Sequence, residues 1–584
     1  MKKFLSILLS CILIFSITAK SPVTATMIKL SDNLYDDMDT LFLSLGKTLS
    51  MTRPYSKEEA VLYLKSIATE RMNDIERDLY NKLQKELETD EENDVFSYEA
   101  KGAITPQIYA HTNKEYFRDN IVYGTDNKPT EPYTKEYLPF DGDTTWASAR
   151  ERFINIGLSL GIKKVAGMHF ELPIMNTIHT LKPFGSEYIA NNIPMISSFK
   201  AFDYEDFNFN FPYRAYVNLG GSWWNIQIGR EQYNNGSGAS GNFIVDKHVP
   251  YHNAFNISIF SDQVKLSFIA SFFPHPSQYY ESETDEQSKF NRYFDQTKDA
   301  YTGIKMLLDH RLEWTTKNRK SRLAIEEAII YQNDKGILDL QILNPIMFFH
   351  NLYIAGNSNS ILSFEWDYVF SSGIEQSVAL VVDDLNIPGE KKHDQENLGK
   401  TKPDAIGLQL GLKTSHPINK GFLKTRTEFT YTSPALYLRG GLKKSEESGY
   451  NLNYVIAIRN QRSNHGIFDL TYIGYPYGCN TINLLFDTEF SVIGKWSAGG
   501  RISFNIRGTN NAITEYDNVK SHTIFSADSQ YYVLTSIFGS YSFTEDFSLS
   551  SSLSNICIWN INNDSHNNPF AYDFQFMLTA TYNF

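Results

Sequence analysis

The chain ends in AYDFQFMLTATYNF (571–584), a stretch in which apolar and polar side chains alternate. Every second position from Tyr572 to Phe584 is apolar, and polar residues such as Asp573 and Gln575 fill most of the positions between them. Successive side chains of a β-strand point to opposite faces, so this strand has one apolar face and one polar face. A fold that contains it must provide apolar surroundings on one side and water or polar groups on the other.

The same two-residue period recurs along most of the chain. It is found in five further stretches, at 154–161, 265–272, 362–370, 423–431 and 496–507. A soluble sandwich could use such strands as well, with the polar face exposed to water. The pattern alone therefore leaves two fold classes open, and the rest of the sequence has to decide between them.

The first residues, MKKFLSILLSCILIFSITA (1–19), combine two lysines, an apolar run and small residues, as a secretory signal peptide does. We expect cleavage after Ala19 or Ala25, which assigns residues 1–25 to the signal peptide and places the mature protein outside the cytoplasm. After this segment, no stretch of about 18 apolar residues is available for a transmembrane helix.

Composition narrows the possible ligands. The formal net charge of −13 argues against a nucleic-acid partner. Only Cys479 and Cys557 follow the signal peptide, which allows one disulfide but makes neither a disulfide scaffold nor a zinc site. We therefore predict no metal and no cofactor.

An exported chain with many amphipathic strands and no helical span is best explained by a closed barrel that crosses a membrane. The terminal Phe584, two residues after an aromatic residue, resembles the signal through which the outer-membrane barrel assembly machinery recognises its substrates. We predict an all-β transmembrane antiparallel barrel in the bacterial outer membrane, in contact with outer-membrane lipid. A Lys or Arg facing lipid at the bilayer midplane would cost roughly 2 to 4 kcal/mol. Five charged residues are therefore expected to face the lumen: Lys424, Arg426, Glu428, Arg501 and Arg507.

A helical segment precedes the barrel. Leu34, Met38 and Leu41 begin one apolar stripe with helical spacing, and a second stripe runs from Met72 to Leu87. Between them, Ser56 and Glu59 have the spacing of a capping box. We predict a periplasmic helical segment over 26–95 and a barrel over 96–584.

The stretch NNGSGASGN (234–242) contains Gly236, Gly238 and Gly241, which spell the G-x-G-x-x-G pattern of dinucleotide-binding turns. That motif works between a buried strand and a helix whose N-terminus meets the pyrophosphate. Here the strand-like WWNIQIG precedes the glycines, but no amphipathic helix follows them. The glycines are therefore expected to serve a turn that needs positive φ angles or close backbone approach.

Three stretches together resemble the Wzi family of outer-membrane proteins, which takes part in capsule assembly. They are LYDDMDTLFLSLGKTLSMTRPYSKEEAVLYL, WWNIQIGREQYNNGSGASGNFIVDKHVPYHNAFNISI, and HRLEWTTKNRKSRLAIEEAIIYQND followed by LQILNPIMFFH. The resemblance implies a barrel of about 18 strands, with a range of 16 to 20, and a helical bundle at its periplasmic end. It also implies a lectin-like protein that holds surface polysaccharide.

A polysaccharide site needs aromatic platforms beside carboxylates, amides and guanidinium groups. The candidates of these types are Trp223, Trp224, Arg230, Glu231, Tyr233, Asn235, Glu326, Glu327, Asp383 and Asp384. Each has an alternative structural interpretation. Paired tryptophans are frequent at the membrane interface, and two adjacent aspartates often solvate a turn. Arg230 continues the apolar set of Trp224 and Ile226, so it has to lie at a strand end, at a bulge or beyond the lipid.

Two other function classes are alternatives to carbohydrate binding. A hydrolase needs a nucleophile beside a histidine, but the chain has no G-x-S-x-G, no H-E-x-x-H and no metal-ligand spacing among its 13 histidines. A passive porin would suit the inward charges, although a helical bundle in the barrel mouth would argue against it. The sequence therefore favours a non-enzymatic protein that helps attach or assemble capsule or other surface polysaccharide.

Overall fold

The structure, a computed structural model, describes residues 26–87, 95–111, 154–162, 165–174, 214–273, 304–333, 338, 343–345, 358–385, 404–439, 452–459, 468–510, 524–560, 563, 565–566 and 570–584. The predicted signal peptide, residues 1–25, lies outside the described residues.

Three helices form the N-terminal part: α1 (Asn33–Ser44), α2 (Lys57–Lys65) and α3 (Asp74–Leu87). Asp32 caps α1 by accepting a hydrogen bond from Leu34 N, and Ser56 caps α2 by accepting from Glu59 N at 3.2 Å. The apolar stripes of the helices pack into one cluster, whose buried members include Leu34, Met38, Leu41, Leu79 and Leu83. The predicted N-terminal helices are thus confirmed.

Within the described residues, no helix is both long enough and apolar enough to cross a membrane.

The strands, in chain order, are β1 (Thr52–Arg53), β2 (Phe96–Ile104), β3 (Gln107–His111), β4 (Ile154–Ile162), β5 (Ala166–Ile174), β6 (Ala215–Gly220), β7 (Trp224–Glu231), β8 (Asn234–Asn235), β9 (His252–Phe260), β10 (Val264–Phe273), β11 (Ile304–Thr315), β12 (Ser321–Asn333), β13 (Ser358–Ser371), β14 (Ile374–Asp384), β15 (Ala405–Ile418), β16 (Gly421–Thr432), β17 (Val455–Arg459), β18 (Phe468–Tyr472), β19 (Thr481–Val492), β20 (Trp496–Arg507), β21 (Gln530–Ser542), β22 (Phe547–Trp559) and β23 (Phe570–Asn583).

All of these strands except β1, β8, β17 and β18 join one closed antiparallel barrel. β2 and β3 are two parts of one barrel strand, because both pair with β23 on the same side. The described part of the chain therefore contains an 18-stranded barrel, as predicted. Among the described strands, β17 pairs with β18, and β1 pairs with β8.

The outer face of the barrel is apolar. Leu312 and Trp314 on β11 are exposed, and so are Leu323 on β12, Trp366 on β13 and Ile502 on β20. The charged residues at the intervening positions of these strands contact groups inside the barrel, so the exposed apolar set faces outward. A closed barrel with such an exterior is the structure that a strand-based protein needs in a bilayer. The predicted fold class and the location in the bacterial outer membrane are confirmed.

The helices lie at the end of the barrel where the connections are short. The turn residues 316–320 and 372–373 each join neighbouring strands at this end, whereas long connections join strands at the other end. Gly373 N donates to Leu43 O at 2.7 Å, and Thr48 N donates to Arg319 O at 2.7 Å. Outer-membrane barrels have their short turns on the periplasmic side, so the helical segment is at the periplasmic end.

The barrel closes where the end of the chain meets β2. Gly102 N donates to Phe584 O at 2.8 Å, and Phe584 N donates to Gly102 O at 2.9 Å. A Cβ added at Gly102 would lie 2.2 Å from the Phe584 ring, so the absent side chain makes room for the terminal aromatic residue. This close approach forms the last contact of the closing seam.

Gly102→Val is expected to reduce the amount of folded barrel in the outer membrane severalfold, because the new side chain collides with the Phe584 ring at the seam. The folded fraction can be measured from the heat-dependent mobility of the protein on a gel. Gly157→Val is the matched control, since a Cβ at Gly157 meets its nearest neighbour at 3.4 Å. Equal folded fractions for the two variants would contradict the role assigned to this contact.

Candidate functional site

The connection between β7 and β9, residues 232–251, folds into the barrel and is called the inner loop below. Within it, β8 pairs with β1 of the N-terminal segment, with Thr52 opposite Asn235 and Arg53 opposite Asn234. The glycine-rich stretch and the N-terminal chain therefore form a small two-stranded sheet inside the lumen.

The glycine-rich turn of the inner loop is hydrogen-bonded to the barrel wall. Ser237 Oγ donates to the Asp367 carboxylate on β13 at 3.0 Å. On β16, the Glu428 carboxylate accepts from Ala239 N at 2.6 Å and from Ser240 N at 3.0 Å. Gln409 on β15 donates to the carbonyl oxygen of Gly241 at 3.0 Å. The turn thus contacts three separate strands of the lumen wall.

The glycines of this turn are required by its backbone. Gly236 has φ +127° and Gly241 has φ +138°, a region that residues with a Cβ rarely adopt. A Cβ at Gly241 would also lie 2.1 Å from Pro476 Cδ. The glycines face protein, and the described residues that follow them contain no helix. The G-x-G-x-x-G pattern here is therefore a structural turn, as expected from the sequence.

A central ion-pair network lies behind the turn and consists of Arg311, Arg322, Glu313, Glu326, Glu365 and Asp367. Arg311 Nη1 lies 2.5 Å from Glu326 Oε2, and Arg311 Nη2 lies 2.6 Å from Glu365 Oε2. Arg322 pairs with Glu313 at 3.0 Å and with Asp367. None of the six side chains is more than 9% exposed. Two guanidinium groups thus pair with four carboxylates at a place that is closed to solvent.

The same network holds the elements that fill the lumen. Arg311 Nε donates to Thr52 Oγ1 of β1 at 2.9 Å. Asn235 of β8 donates from Nδ2 to Asp309 Oδ2 and to Glu326 Oε1, both at 2.8 Å. The wall strands β11 to β13 are therefore joined to both strands of the small inner sheet.

Ion pairs also attach the helical segment to the wall. Lys265 Nζ on β10 lies 2.6 Å from Glu59 Oε1 of α2. Asp36 of α1 accepts from Lys424 Nζ at 2.5 Å and from Arg426 Nη2 at 2.9 Å. Burial raises the pKa of Asp36, but the positive charges of Lys424 and Arg426 outweigh burial and lower it to about 2. This carboxylate is therefore ionised at any physiological pH.

An apolar cluster fills the extracellular end of the barrel, and we call this cluster the roof. Tyr437 and Tyr454 stack with ring centroids 5.4 Å apart, and Tyr437 Oη donates to Phe243 O at 2.7 Å. The inner loop and the β16–β19 connection supply most of the cluster: Tyr233, Phe243, Ile244, Val245, Val249, Tyr251, Leu436, Tyr437, Leu438, Tyr454, Val455, Ile456, Tyr472, Ile473, Tyr475, Tyr477 and Cys479.

One side of the lumen is less densely filled than the other. The Arg311 side chain on β11 is 0% exposed, whereas the inward side chains of Arg426 on β16 and Arg501 on β20 are 36% and 22% exposed. The inner loop and the helices therefore fill the lumen beside β11 completely and leave more open space beside β20.

The residues predicted to face the lumen occupy the following positions. Lys424, Arg426 and Glu428 share one face of β16, and that face contacts α1 and the inner loop. Arg501 is opposite Asp487 across β19 and β20, and its Nε donates to Asp487 Oδ2 at 2.9 Å. Arg507, on the same face of β20 as Arg501, is buried at the extracellular end of that strand.

Four carbohydrate-binding candidates, Glu231, Tyr233, Asn235 and Glu326, are buried inside the barrel. Glu231 pairs with Arg214, at 2.8 Å between Oε1 and Nε, and Tyr233 Oη donates to Gln227 Oε1 at 3.3 Å. Asn235 and Glu326 belong to the contacts of the central ion-pair network. Each of the four has a hydrogen-bond or ion-pair partner in the lumen.

Trp223 lies in the short turn between β6 and β7, and Trp224 is the first residue of β7, at the periplasmic end. Their ring centroids are 6.1 Å apart, and Trp223 is exposed. Side chains of this kind at a barrel rim form the aromatic girdle at the membrane interface. The pair is therefore at the opposite end of the barrel from the long connections.

Arg230 and Glu327 are on the outer face of the barrel. Arg230 is at the extracellular end of β7, where its guanidinium lies 4.5 Å from the centre of the Tyr251 ring and its Nε donates to Asn253 Oδ1 at 2.9 Å. This agrees with the strand-end position expected from the sequence. Glu327 is opposite His310 and accepts from Ser360 Oγ at 3.0 Å.

Asp383 and Asp384 lie at the extracellular end of β14, where the register with β15 shifts. Asp383 accepts a hydrogen bond from Tyr437 N of the roof at 3.0 Å, and Asp384 Oδ2 lies 3.8 Å from Arg439 Nη1. The ten candidates are thus distributed over the periplasmic rim, the lumen, the outer face and the extracellular end. The structure does not bring them together into one site.

Cys479 and Cys557 are both free, so the disulfide that the sequence allowed between them is not formed. Cys479 is buried in the roof, whereas Cys557 is on the outward set of β22. Among the described residues, no group of three His, Cys, Asp or Glu side chains could hold a metal ion.

Comparison with solved structures identifies the fold. Wzi, an outer-membrane protein involved in group 1 capsule assembly in Escherichia coli and a carbohydrate-binding β-barrel, matches with a TM-score of 0.52 at 11% identity, over 95% of this chain and 99% of that chain. The outer-membrane channel DcaP of Acinetobacter baumannii matches with a TM-score of 0.35 at 8% identity, over 84% of this chain and 99% of that chain. The anion-selective porin of Comamonas acidovorans has a TM-score of 0.33 at 8% identity, over 84% and 100% of the two chains. No family model and no curated protein matches the sequence. The predicted resemblance to Wzi is confirmed in the fold.

Proposed function

We propose that this outer-membrane barrel binds surface polysaccharide and helps to attach or assemble it on the cell exterior, without making or breaking covalent bonds. The observation that carries the proposal is the match over nearly the whole chain to the fold of Wzi, a carbohydrate-binding barrel of capsule assembly. A repeating polymer offers many copies of one epitope, so weak contacts at several protein molecules add up through effective concentration.

The filled lumen favours this function over passive diffusion. Barrels of 16 to 18 strands otherwise leave an aqueous channel. Here the inner loop, the roof and the helical segment occupy much of that space. Hydrogen bonds fix the inner loop to the wall, and a buried ion pair between Lys265 and Glu59 fixes the helical segment. A filled lumen is compatible with a binding protein, but it would obstruct a diffusion pore.

The second alternative, a hydrolase, would need a nucleophile activated by a base. Ser360 on the outer face donates to Glu327, which is opposite His310. His310 Nε2 is 2.9 Å from the carbonyl oxygen of Asn344, so this hydrogen bond directs it toward backbone and not toward Ser360. All three side chains are buried, which keeps substrate away from the hydroxyl. We therefore favour a protein without enzymatic activity.

Of the ten predicted carbohydrate-binding candidates, we propose Asp384 as the first to test. It lies at the extracellular end of β14, and its side chain and that of Arg439 are 25% and 29% exposed. The Asp384 carboxylate can accept hydrogen bonds from sugar hydroxyls, and the Arg439 guanidinium can donate hydrogen bonds to them. The buried candidates in the lumen already bind protein groups.

We also propose the predicted chain organisation: a signal peptide over 1–25, a periplasmic segment over 26–95 and a barrel over 96–584. The start of β2 at Phe96 supports the last boundary. We further propose that the assembly machinery recognises the strand ending at Phe584, which supplies the edge that closes on β2.

Deleting the gene is expected to lower the cell-bound surface polysaccharide and to raise the amount of polymer in the medium. Cell pellets and supernatants can be compared by a sugar assay, with a strain complemented by the wild-type gene as the control. The purified protein, in detergent, should also bind glycans on an array. Unchanged cell-bound polysaccharide together with an array that binds nothing would overturn the proposal.

A further inference from the structure

The outer face of the barrel has a groove across β19 to β23, with a volume of about 430 Å³, which we call the outer groove. Its floor consists of small and polar residues, namely Thr488, Gly500, Thr535 and Asn555. Thr488 is opposite Gly500, and Thr535 is opposite Asn555. The floor therefore continues over four adjacent strands, β19 to β22.

Large apolar side chains form the rims of the outer groove. Phe486 and Ile502 are opposite each other on its extracellular side, and Ile537 and Leu553 are opposite each other on its periplasmic side. Phe574 of β23 lies at one end of the groove. Phe486, Ile502 and Ile537 are 45%, 52% and 61% exposed. The rims and the groove between them therefore face the lipid and not the lumen.

Two polar side chains in the floor lack a partner. Thr535 and Asn555 are half-buried, and among the described residues neither side chain has a hydrogen-bond partner. The Thr488 hydroxyl, in contrast, donates to Lys424 O at 3.4 Å. Thr535 lies four residues, or about 13 Å along the strand, from Tyr531 at the extracellular end of β21, so the pair is within the hydrocarbon layer. Because water is absent there, an unpaired hydroxyl or amide costs free energy unless a membrane lipid supplies the partner.

The concave shape of the outer groove indicates which molecule fits it. In a symmetric dimer the same patch faces itself, and two grooves that face each other would leave a void between the copies. A slender chain, in contrast, fills the groove and gives the lining atoms van der Waals contacts that they otherwise lack. Acyl chains of lipids are the slender apolar molecules that surround a barrel at this depth.

We propose that the outer groove binds one acyl chain of an outer-membrane lipid, and that this chain carries a hydroxyl group that hydrogen-bonds with Thr535 and Asn555. A hydroxyl group both donates and accepts. It can therefore donate to the amide oxygen of Asn555 and accept from the amide nitrogen of Asn555 or from the Thr535 hydroxyl. The site is on the outer wall, so it is separate from the proposed polysaccharide binding and does not depend on it.

The test uses the full-length protein in detergent micelles and native mass spectrometry, which detects bound lipid by its mass. The micelles contain phosphatidylcholine whose acyl chain is either plain or hydroxylated at carbon 3, 7 or 12. The wild-type protein is expected to bind one molecule of at least one hydroxylated isomer about fivefold more tightly than the plain lipid, which is the effect of one net hydrogen bond. The preferred isomer reports the depth of the polar pair.

Three variants test whether the lipid binds in the outer groove. Gly500→Leu fills the floor and should lose the bound lipid, and the wall can accept it because a Cβ meets its nearest atom, Ser536 O, at 3.4 Å. The double variant Thr535→Val, Asn555→Leu should bind plain and hydroxylated lipid equally. Ser551→Leu, at an exposed outward position of β22 outside the groove, is the matched control and should behave like the wild-type protein. Heat-dependent gel mobility verifies that each variant is folded.

The outcomes decide between the possible occupants. Loss of the hydroxyl preference in the double variant, with the preference retained in Ser551→Leu, supports the site. A wild-type protein that prefers none of the hydroxylated isomers, or a Gly500→Leu variant that retains the lipid, overturns it. A wild-type dimer that Gly500→Leu dissociates would assign the groove to a second copy of the chain and would overturn the proposal as well.

Discussion

Replacing residues 234–249 of the inner loop by a short glycine–serine linker is expected to raise the ion conductance of the protein at least tenfold. An 18-stranded barrel is wide enough to hold an aqueous channel once nothing fills it. The replacement removes β8, the glycine-rich turn and four members of the roof, namely Phe243, Ile244, Val245 and Val249. Water then replaces protein as the partner of Glu326, Asp367 and Glu428, so these wall carboxylates stay solvated and the barrel remains closed.

Single-channel recordings in planar bilayers measure this effect. The matched control replaces the exposed periplasmic turn 544–546 by a linker of the same composition, which leaves the lumen unchanged. Wild-type protein and control should show the same low conductance. A conductance of the wild-type protein as high as that of the loop variant would show that the inner loop does not obstruct the barrel, and would favour a porin.

Arg311→Met is expected to destabilise the protein by about 3 to 5 kcal/mol, because it removes one partner of a buried ion-pair network and leaves the others uncompensated. The Arg311 side chain is 0% exposed and binds Glu326, Glu365 and the Thr52 hydroxyl of β1. Methionine fills a similar volume, so packing changes little. The loss therefore reports mainly on the two carboxylates that the guanidinium compensates.

Denaturant unfolding of the detergent-solubilised protein measures the free-energy difference. Arg71→Met, at an exposed position of the helical segment, is the control and should change the free energy of unfolding by no more than about 0.5 kcal/mol. A similar small change for Arg311→Met would mean that water already solvates the network. Protease digestion adds a second measurement, since loss of the Thr52 contact should expose the N-terminal segment to cleavage.

The barrel could be predicted from the sequence because the two-residue period is a local property. The alternation within each strand shows which face is apolar. Arg426 is on the opposite face from Leu423 and Phe429, and Arg501 is on the opposite face from Ile502. The helical segment is equally local, with the cap at Ser56 and the apolar stripe through Leu79 and Leu83.

The contents of the lumen could not be predicted, because they depend on contacts between distant parts of the chain. NNGSGASGN has no apolar period, so nothing in it indicates that Glu428 and Asp367 hold it inside the barrel. The partners of Arg311 follow from the register of three strands and not from any local motif. The surroundings of the carbohydrate-binding candidates could not be predicted for the same reason. Trp223 and Glu231 are eight positions apart on nearly one strand, but one ends at the periplasmic rim and the other in the lumen.

The seam between β23 and β2 constrains the order in which the molecule can be assembled. β1 precedes the whole barrel in the chain, yet it pairs with β8 inside the wall and touches Arg311 there. β23, which seals the cylinder, follows the other described strands in the chain, and it pairs with β2 and β3, which form the first barrel strand. Such distant contacts are slow to form. We therefore expect the inner loop and the N-terminal segment to pack while the wall is still an open sheet. Closure of the barrel at Phe584 would then enclose them.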